Sequence, residues 1–164
     1  MIKRIVAAVL LAMFVLTGTV AQEAADDIIL VPFTDFNYTF TGVVPSSWVQ
    51  VTAGLWSRES GAQVLMAQQA RTEAPDVVLV SLLPQFGIDT VLEPVEIRDA
   101  NGLTWAIYEI LAPAGSDAAI DVAITGQGTL TYFIILASVV EEHDALKQAV
   151  FLPAVDGLVP LGSA

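Results

Sequence analysis

The chain has 164 residues, 55% of them hydrophobic, and a formal net charge of −12. A charge this negative repels phosphate backbones and anionic membrane surfaces, so we expect no nucleic acid as a partner. Cysteine is absent, so disulfides and lipid attachment through a thiol are excluded, and the core itself must supply the stability.

The first 21 residues have the pattern of a secretory signal peptide. Lys3 and Arg4 precede an apolar run over residues 5–16, and small residues at Thr19 and Ala21 predict cleavage after Ala21. A retained membrane anchor is the alternative, but the run is shorter than the roughly 20 apolar residues of a transmembrane helix. Cleavage leaves 143 residues with four basic and 18 acidic side chains, a net charge of −14. We therefore predict an exported protein, periplasmic or extracellular, with no stable membrane span.

The remainder is predicted to be an acidic leader and entry segment, residues 22–34, and a single α+β domain, residues 35–164. Within the domain, an extended run leads into Pro45, two serines and Trp48. Proline cannot donate to a strand ladder, so it should end the strand, and Trp48 should pack over the corner. Trp56 follows in a polar stretch that we expect to be a loop, where it could be buried or exposed.

Residues 75–86 predict a helix, because Pro75 suits a first turn and apolar residues follow at helical spacing. Their β-branched content leaves a strand as the alternative. Residues 94–111 predict a β-hairpin with a turn over residues 99–102, in which Asn101 and Gly102 tolerate positive φ.

A second hairpin is predicted over residues 118–138, with its turn at residues 126–128. Its second arm is apolar on both faces, which indicates a central strand covered on both sides. Residues 141–158 begin with acids that suit a helix N-terminus, and they predict a C-terminal helix. The fold class is therefore α+β, a mainly antiparallel sheet covered by helices.

Two short motifs and the order of these elements resemble the PsbP-like α/β/α sandwich superfamily. The motifs are P-x-x-W at Pro45 and Trp48, and G-x-x-W at Gly102 and Trp105, followed by a C-terminal helix that runs into "FLPAVDGLVP". The resemblance covers residues 37–160. It implies a binding or accessory module of the bacterial envelope, and no catalytic or ligand residues are common to the superfamily.

The sequence offers no nucleophile motif. No serine stands in G-x-S-x-G or begins S-x-x-K, and the only histidine, His143, is surrounded by acids. We interpret this acidic stretch as a solvated first turn of the C-terminal helix, because neighbouring helical positions point apart and a metal needs more nitrogen or sulfur ligands. We predict no catalytic residue, no metal site and no cofactor.

Three residues are candidates for ligand contact: Trp56, Arg58 and Glu109. Trp56 could be an exposed aromatic of the kind that binds carbohydrate or peptide. Glu109 falls on the apolar face of its strand, where it would need water or a partner such as Arg98 across the hairpin.

The predicted function is an exported non-catalytic accessory or ligand-binding module of the bacterial cell envelope, for an unidentified small ligand or envelope protein. One alternative is a hydrolase that acts on envelope glycans through two close carboxylates. Another is a structural subunit that binds a protein partner through an exposed sheet edge.

Overall fold

The computed structural model describes residues 28–37, 39–58, 64–111 and 117–162. The predicted signal peptide lies outside these ranges. In chain order the strands are β1 Leu30–Thr34, β2 Phe40–Pro45, β3 Val49–Thr52, β4 Leu55–Ser57, β5 Leu65–Arg71, β6 Glu96–Ala100, β7 Leu103–Leu111, β8 Ala118–Gln127, β9 Leu130–Val139 and β10 Val159–Pro160. Helix α1 spans Pro75–Leu82, and a 3-10 turn over Leu83–Phe86 continues it. The C-terminal helix consists of α2 Val140–Leu146, a π turn over Lys147–Phe151 and α3 Leu152–Gly157.

The main sheet has seven antiparallel strands in the order β3-β4-β5-β9-β8-β7-β6. A smaller sheet has the order β1-β2-β10. The predicted α+β class is confirmed. Strand β1 lies within residues 22–34, the predicted entry segment, and it is hydrogen-bonded to β2 along its whole length.

Both predicted hairpins form, and their turns are tighter than the sequence indicated. Asn101 and Gly102 have φ values of 51° and 76°, and they alone separate β6 from β7. In the second hairpin the ladder continues to the pair Gln127↔Leu130. The turn therefore begins at Gly128, with a φ of 60°, because the ladder continues through Gly126 and Gln127.

The main sheet is covered on both faces, as the composition of β9 predicted. On one side, which we call the C-terminal face, Ile134 and Leu136 pack in a core with the C-terminal helix and residues of the small sheet. On the other side, the α1 face, Phe133 and Ile135 pack beneath α1. Strand β8 is buried on both sides as well.

The stretch over residues 75–86 is helical, so the alternative of a strand is wrong. Its five residues at helical spacing are all buried against the α1 face: Val78, Leu79, Leu82, Leu83 and Phe86. Pro75 occupies the first turn, where the missing N–H costs no intrahelical bond.

Trp48 packs over the corner after β2, as expected. Its backbone N donates to the carbonyl oxygen of Pro45 at 3.1 Å, and its ring is buried on the C-terminal face. The P-x-x-W stretch is therefore a packed turn.

Candidate functional site

Trp56 is a core residue, and the expectation of a loop around it is wrong. It lies in β4 opposite Met66 of β5, and this pairing directs both side chains to the C-terminal face. Trp56 is 5% exposed, and its ring centroid lies 4.5 Å from that of Phe33. As the structure stands, a ligand cannot use this ring as a surface contact.

Arg58 is bound to the C-terminal helix. Its guanidinium donates to both carboxylate oxygens of Glu142, at 2.7 and 3.0 Å, and both side chains are mostly buried. A bidentate pair of this kind is among the stronger charge-assisted contacts in proteins. Ligand contact at Arg58 would have to compete with Glu142.

Glu109 faces a second carboxylate and shares a lysine with it. It lies directly opposite Asp121 in the ladder between β7 and β8, an arrangement of like charges that destabilises a sheet. Lys147 of the π turn donates to Glu109 Oε1, and its Nζ lies 3.3 Å from Asp121 Oδ1. The partner suggested by the sequence, Arg98, instead binds Asp156.

His143 belongs to the same group of side chains. Its Nε2 lies 3.0 Å from Asp121 Oδ2, and its Nδ1 lies 2.8 Å from Ser138 Oγ. His143 and Lys147 are four residues apart, so they share one side of the helix and both reach Asp121. The expectation that His143 is solvated is therefore wrong. We call these five residues the Asp121 network: Glu109, Asp121, Ser138, His143 and Lys147.

The Asp121 network has the residue types of a hydrolytic triad, but its geometry does not suit nucleophilic attack. Ser138 and Asp121 are 0% exposed, so a substrate cannot reach the serine hydroxyl. Both oxygens of Asp121 lie within ion-pair distance of a cationic or imidazole nitrogen, yet neither contact has hydrogen-bond geometry. The arrangement places a buried carboxylate beneath the helix and offers no open cleft.

Lys147 is held in its charged form by the two carboxylates. Burial lowers the pKa of Lys147, but the hydrogen bond with Glu109 and the charge of Asp121 raise it, and the net pKa lies above its ordinary value. Lys147 therefore neutralises part of the acidic pair that a two-carboxylate hydrolase would need. Within the described residues, no group of three or more acids or histidines could hold a metal ion.

A pocket of about 460 Å³ opens on the α1 face. Its walls come from α1 and from the irregular connection to β6, and its floor comes from β7 and β8. Its lining residues are Pro75, Asp76, Leu79, Val80, Val91, Leu92, Glu93, Pro94, Thr104, Ala106, Tyr108, Ile124, Thr125 and Gly126. Two of the wall residues, Val80 and Val91, are exposed, so the pocket opens onto apolar surface.

The charged groups of this pocket are both acidic. Asp76 and Glu93 line it, and no basic side chain stands among its described lining residues. Burial, and then the charge of Glu93, raise the pKa of Tyr108, whose side chain forms part of the floor.

No motif in the sequence predicted this pocket. Ala106 and Tyr108 lie in the second arm of the predicted hairpin, and nothing in their spacing indicates a pocket. A usable signal was the apolar, irregular stretch "VLEPV" at residues 91–95, which lies between a helix and an edge strand. An apolar segment without regular structure beside a sheet edge can form the wall of a cleft.

Comparison with known protein families finds no match, and no curated protein is similar in sequence. Among solved structures, the solution structure of cyanobacterial PsbP (CyanoP) from Synechocystis sp. PCC 6803 is similar. The TM-score is 0.55 at 12% sequence identity, over 88% of this chain and 97% of that one. The chain therefore has a PsbP-like α+β fold, in agreement with the resemblance of its motifs. Among the described residues no helix is both long and apolar enough to span a membrane.

Proposed function

We propose that the protein is an exported, non-catalytic ligand-binding module of the bacterial cell envelope, and that its ligand binds in the pocket on the α1 face. The observation that carries the proposal is the contrast between the two faces of one sheet. The C-terminal face is covered by a helix and a second sheet and has a pocket of about 190 Å³ near Phe40 and Ala70, whereas the α1 face has a pocket of about 460 Å³ beside its helix.

The dimensions and lining of the pocket support ligand binding. Small-molecule sites are commonly about 300–1,000 Å³ and mostly apolar, with a few polar groups. This pocket, at about 460 Å³, combines apolar side chains such as Leu79 and Ile124 with two carboxylates and a phenol. Exposed valines at its mouth supply the apolar surface that is typical of interaction sites.

A non-catalytic role is supported by the position of the chain's potential nucleophile. Ser138, His143 and Asp121 have suitable chemistry, but Ser138 and Asp121 are sealed beneath the C-terminal helix. They lie on the opposite face of the sheet from the pocket lining. A ligand in the pocket would therefore meet neither this serine nor this histidine.

Export is supported by the N-terminal sequence and can be tested directly. The protein recovered from the periplasm of a bacterial host should have the intact mass of a chain that begins at Gln22. A mass that includes residues 1–21 would contradict cleavage and favour a retained anchor.

Ligand binding can be tested by thermal melting of the mature protein against small apolar compounds. A ligand present at about 100 times its dissociation constant should add about 2.7 kcal/mol to the free energy of unfolding. Ala106→Trp places a large ring on the pocket floor and should abolish the effect. The matched control is Ala145→Trp at an exposed position of α2, which should preserve it.

Two results would contradict the pocket as the binding site. In the first, no compound stabilises the wild-type protein. In the second, Ala106→Trp is folded by circular dichroism and still responds as the wild type does.

A further inference from the structure

We propose that the pocket on the α1 face selects cationic amphiphiles, meaning molecules with an apolar body and a protonated amine, over neutral or anionic molecules of the same shape. This inference rests on the proposed function and adds the charge of the ligand. It follows from three observations: the acidic lining, the engagement of the four basic residues elsewhere, and the presence of Glu93 and Tyr108 together in the lining.

The two acids of the lining are available to a ligand. Asp76 and Glu93 are both exposed, and neither forms an ion pair within the described part of the chain. Their charges are therefore not neutralised inside the protein. A ligand amine could contact them without displacing an existing partner.

All four basic residues of the predicted mature chain are engaged at other places. Three form ion pairs, namely Arg58 with Glu142, Arg98 with Asp156 and Lys147 with Glu109 and Asp121. The fourth, Arg71, lies over the ring of Phe133, 5.3 Å from its centroid. No protein cation is thus placed to serve an anionic ligand in this pocket.

Glu93 and Tyr108 mark where the amine would lie. Glu93 and the floor residue Tyr108 line the same pocket, and the charge of Glu93 adds to the effect of burial in raising the pKa of the Tyr108 phenol. An amine near Glu93 would leave the apolar body over Ala106, Ile124 and Leu79. Burial of that body would supply most of the affinity, and the charge would supply the selectivity.

The test uses three compounds with one apolar body: 4-phenylbutylamine, 4-phenylbutanol and 4-phenylbutyrate. Amide NMR titration of the mature protein measures each dissociation constant and shows whether Ala106, Ile124 and Gly126 respond. An exposed carboxylate contributes little binding free energy, so we expect each acid to lower the dissociation constant of the amine about threefold. The two acids together should make the amine bind about tenfold more tightly than the alcohol. The butyrate should bind more weakly than the alcohol. Added salt should bring the dissociation constants of the three compounds closer together.

Variants separate the charge from the shape. Glu93→Gln should weaken the amine about threefold and leave the alcohol unchanged. Val80→Lys puts a cation on the rim at an exposed residue, and it should weaken the amine and strengthen the butyrate. The matched control is Val77→Lys on the same helix, exposed to 53% where Val80 is exposed to 55% and not part of the lining. Val77→Lys should change the ratio of amine binding to butyrate binding less than Val80→Lys does.

The Tyr108 phenol provides a second readout. Because a primary amine loses its own proton near the pH at which a phenol ionises, this readout uses the quaternary analogue trimethyl(4-phenylbutyl)ammonium. Its fixed charge offsets that of Glu93, so its binding should lower the pH at which Tyr108 ionises, measured by ultraviolet absorbance. The alcohol carries no charge and should not lower the pH at which Tyr108 ionises. In Tyr108→Phe this change in ultraviolet absorbance should be lost.

The outcomes distinguish the two proposals. If the alcohol and the amine bind equally well at the floor residues, or the butyrate binds as tightly as the amine, the inference about charge is overturned and the pocket remains a ligand site. If none of the three compounds shifts the floor amides of the folded protein, the inference falls together with the proposed function.

Discussion

The buried ring of Trp56 is expected to contribute a large part of the stability of the C-terminal face. Trp56→Ala should lower the free energy of unfolding by about 3–5 kcal/mol, because the deletion leaves a cavity beside Phe33. Urea unfolding measures the loss. Val49→Ala, at a position exposed to 57%, should change the free energy by no more than about 0.5 kcal/mol. A loss below about 1 kcal/mol for Trp56→Ala would place the ring at the surface.

Lys147 is expected to contribute more to stability than a basic residue in a more exposed ion pair, such as Arg98, because it lies between two carboxylates. Lys147→Met leaves Asp121 buried opposite Glu109 with the His143 imidazole as its remaining partner, and it should cost about 3–5 kcal/mol in urea unfolding. Arg98→Met, which breaks a more exposed pair with Asp156, should cost about 1 kcal/mol or less.

A double-mutant cycle tests whether the loss comes from this pairing. Replacing the partner as well, in Lys147→Met/Asp121→Leu, should recover part of the lost stability, because no charge is then left buried. A loss in the double variant equal to the sum of the losses in Lys147→Met alone and Asp121→Leu alone would show that the two residues act independently.

Among the elements, β6 and α3 are held together by the pair of Arg98 and Asp156. The hydrogen bond with Arg98, opposed by burial, keeps the pKa of Asp156 below its ordinary value. A carboxyl group with a lowered folded pKa stabilises the protein above its unfolded pKa, and this contribution disappears as the pH falls through the folded value. The contact should therefore weaken below about pH 4.

Urea unfolding between about pH 5 and about pH 2 measures this effect, which should be at most about 1 kcal/mol because both groups are partly exposed. Asp156→Asn should lose less stability on acidification than the wild type does. In a protein that already carries Arg98→Met, Asp156→Asn should not change the loss of stability on acidification any further. An acid response identical to that of the wild type would contradict the assignment.

The elements that local chemistry determines could be predicted from the sequence. Asn101 and Gly102 fix a two-residue turn by their φ values, and β9 shows its double burial in a run of apolar residues. The Asp121 network could not be predicted in this way. In the sequence, Asp121 is one polar position in an alternating strand, and only the packing of the C-terminal helix brings Lys147 and His143 to it. Trp56 was misjudged because its polar neighbours suggested a loop, whereas pairing with β5 makes it a strand.

At the scale of the whole molecule, the acidic excess has a measurable consequence. With 18 acidic and four basic residues in the predicted mature chain, charge repulsion opposes the compact state. Raising NaCl from about 20 mM to about 500 mM should raise the thermal unfolding midpoint, because salt screens exposed acids more than the buried pairs. A midpoint that falls with salt would mean that surface ion pairs outweigh the repulsion.

The three tryptophans, Trp48, Trp56 and Trp105, all lie in the core of the C-terminal face. The tryptophan fluorescence of the protein therefore reports on the packing of the C-terminal face alone. Emission should follow unfolding closely, yet it should stay nearly constant when a molecule occupies the pocket on the α1 face. A change in emission on ligand addition would carry separate information, since it would show that a disturbance on one side of the sheet had been transmitted through the strands to the other.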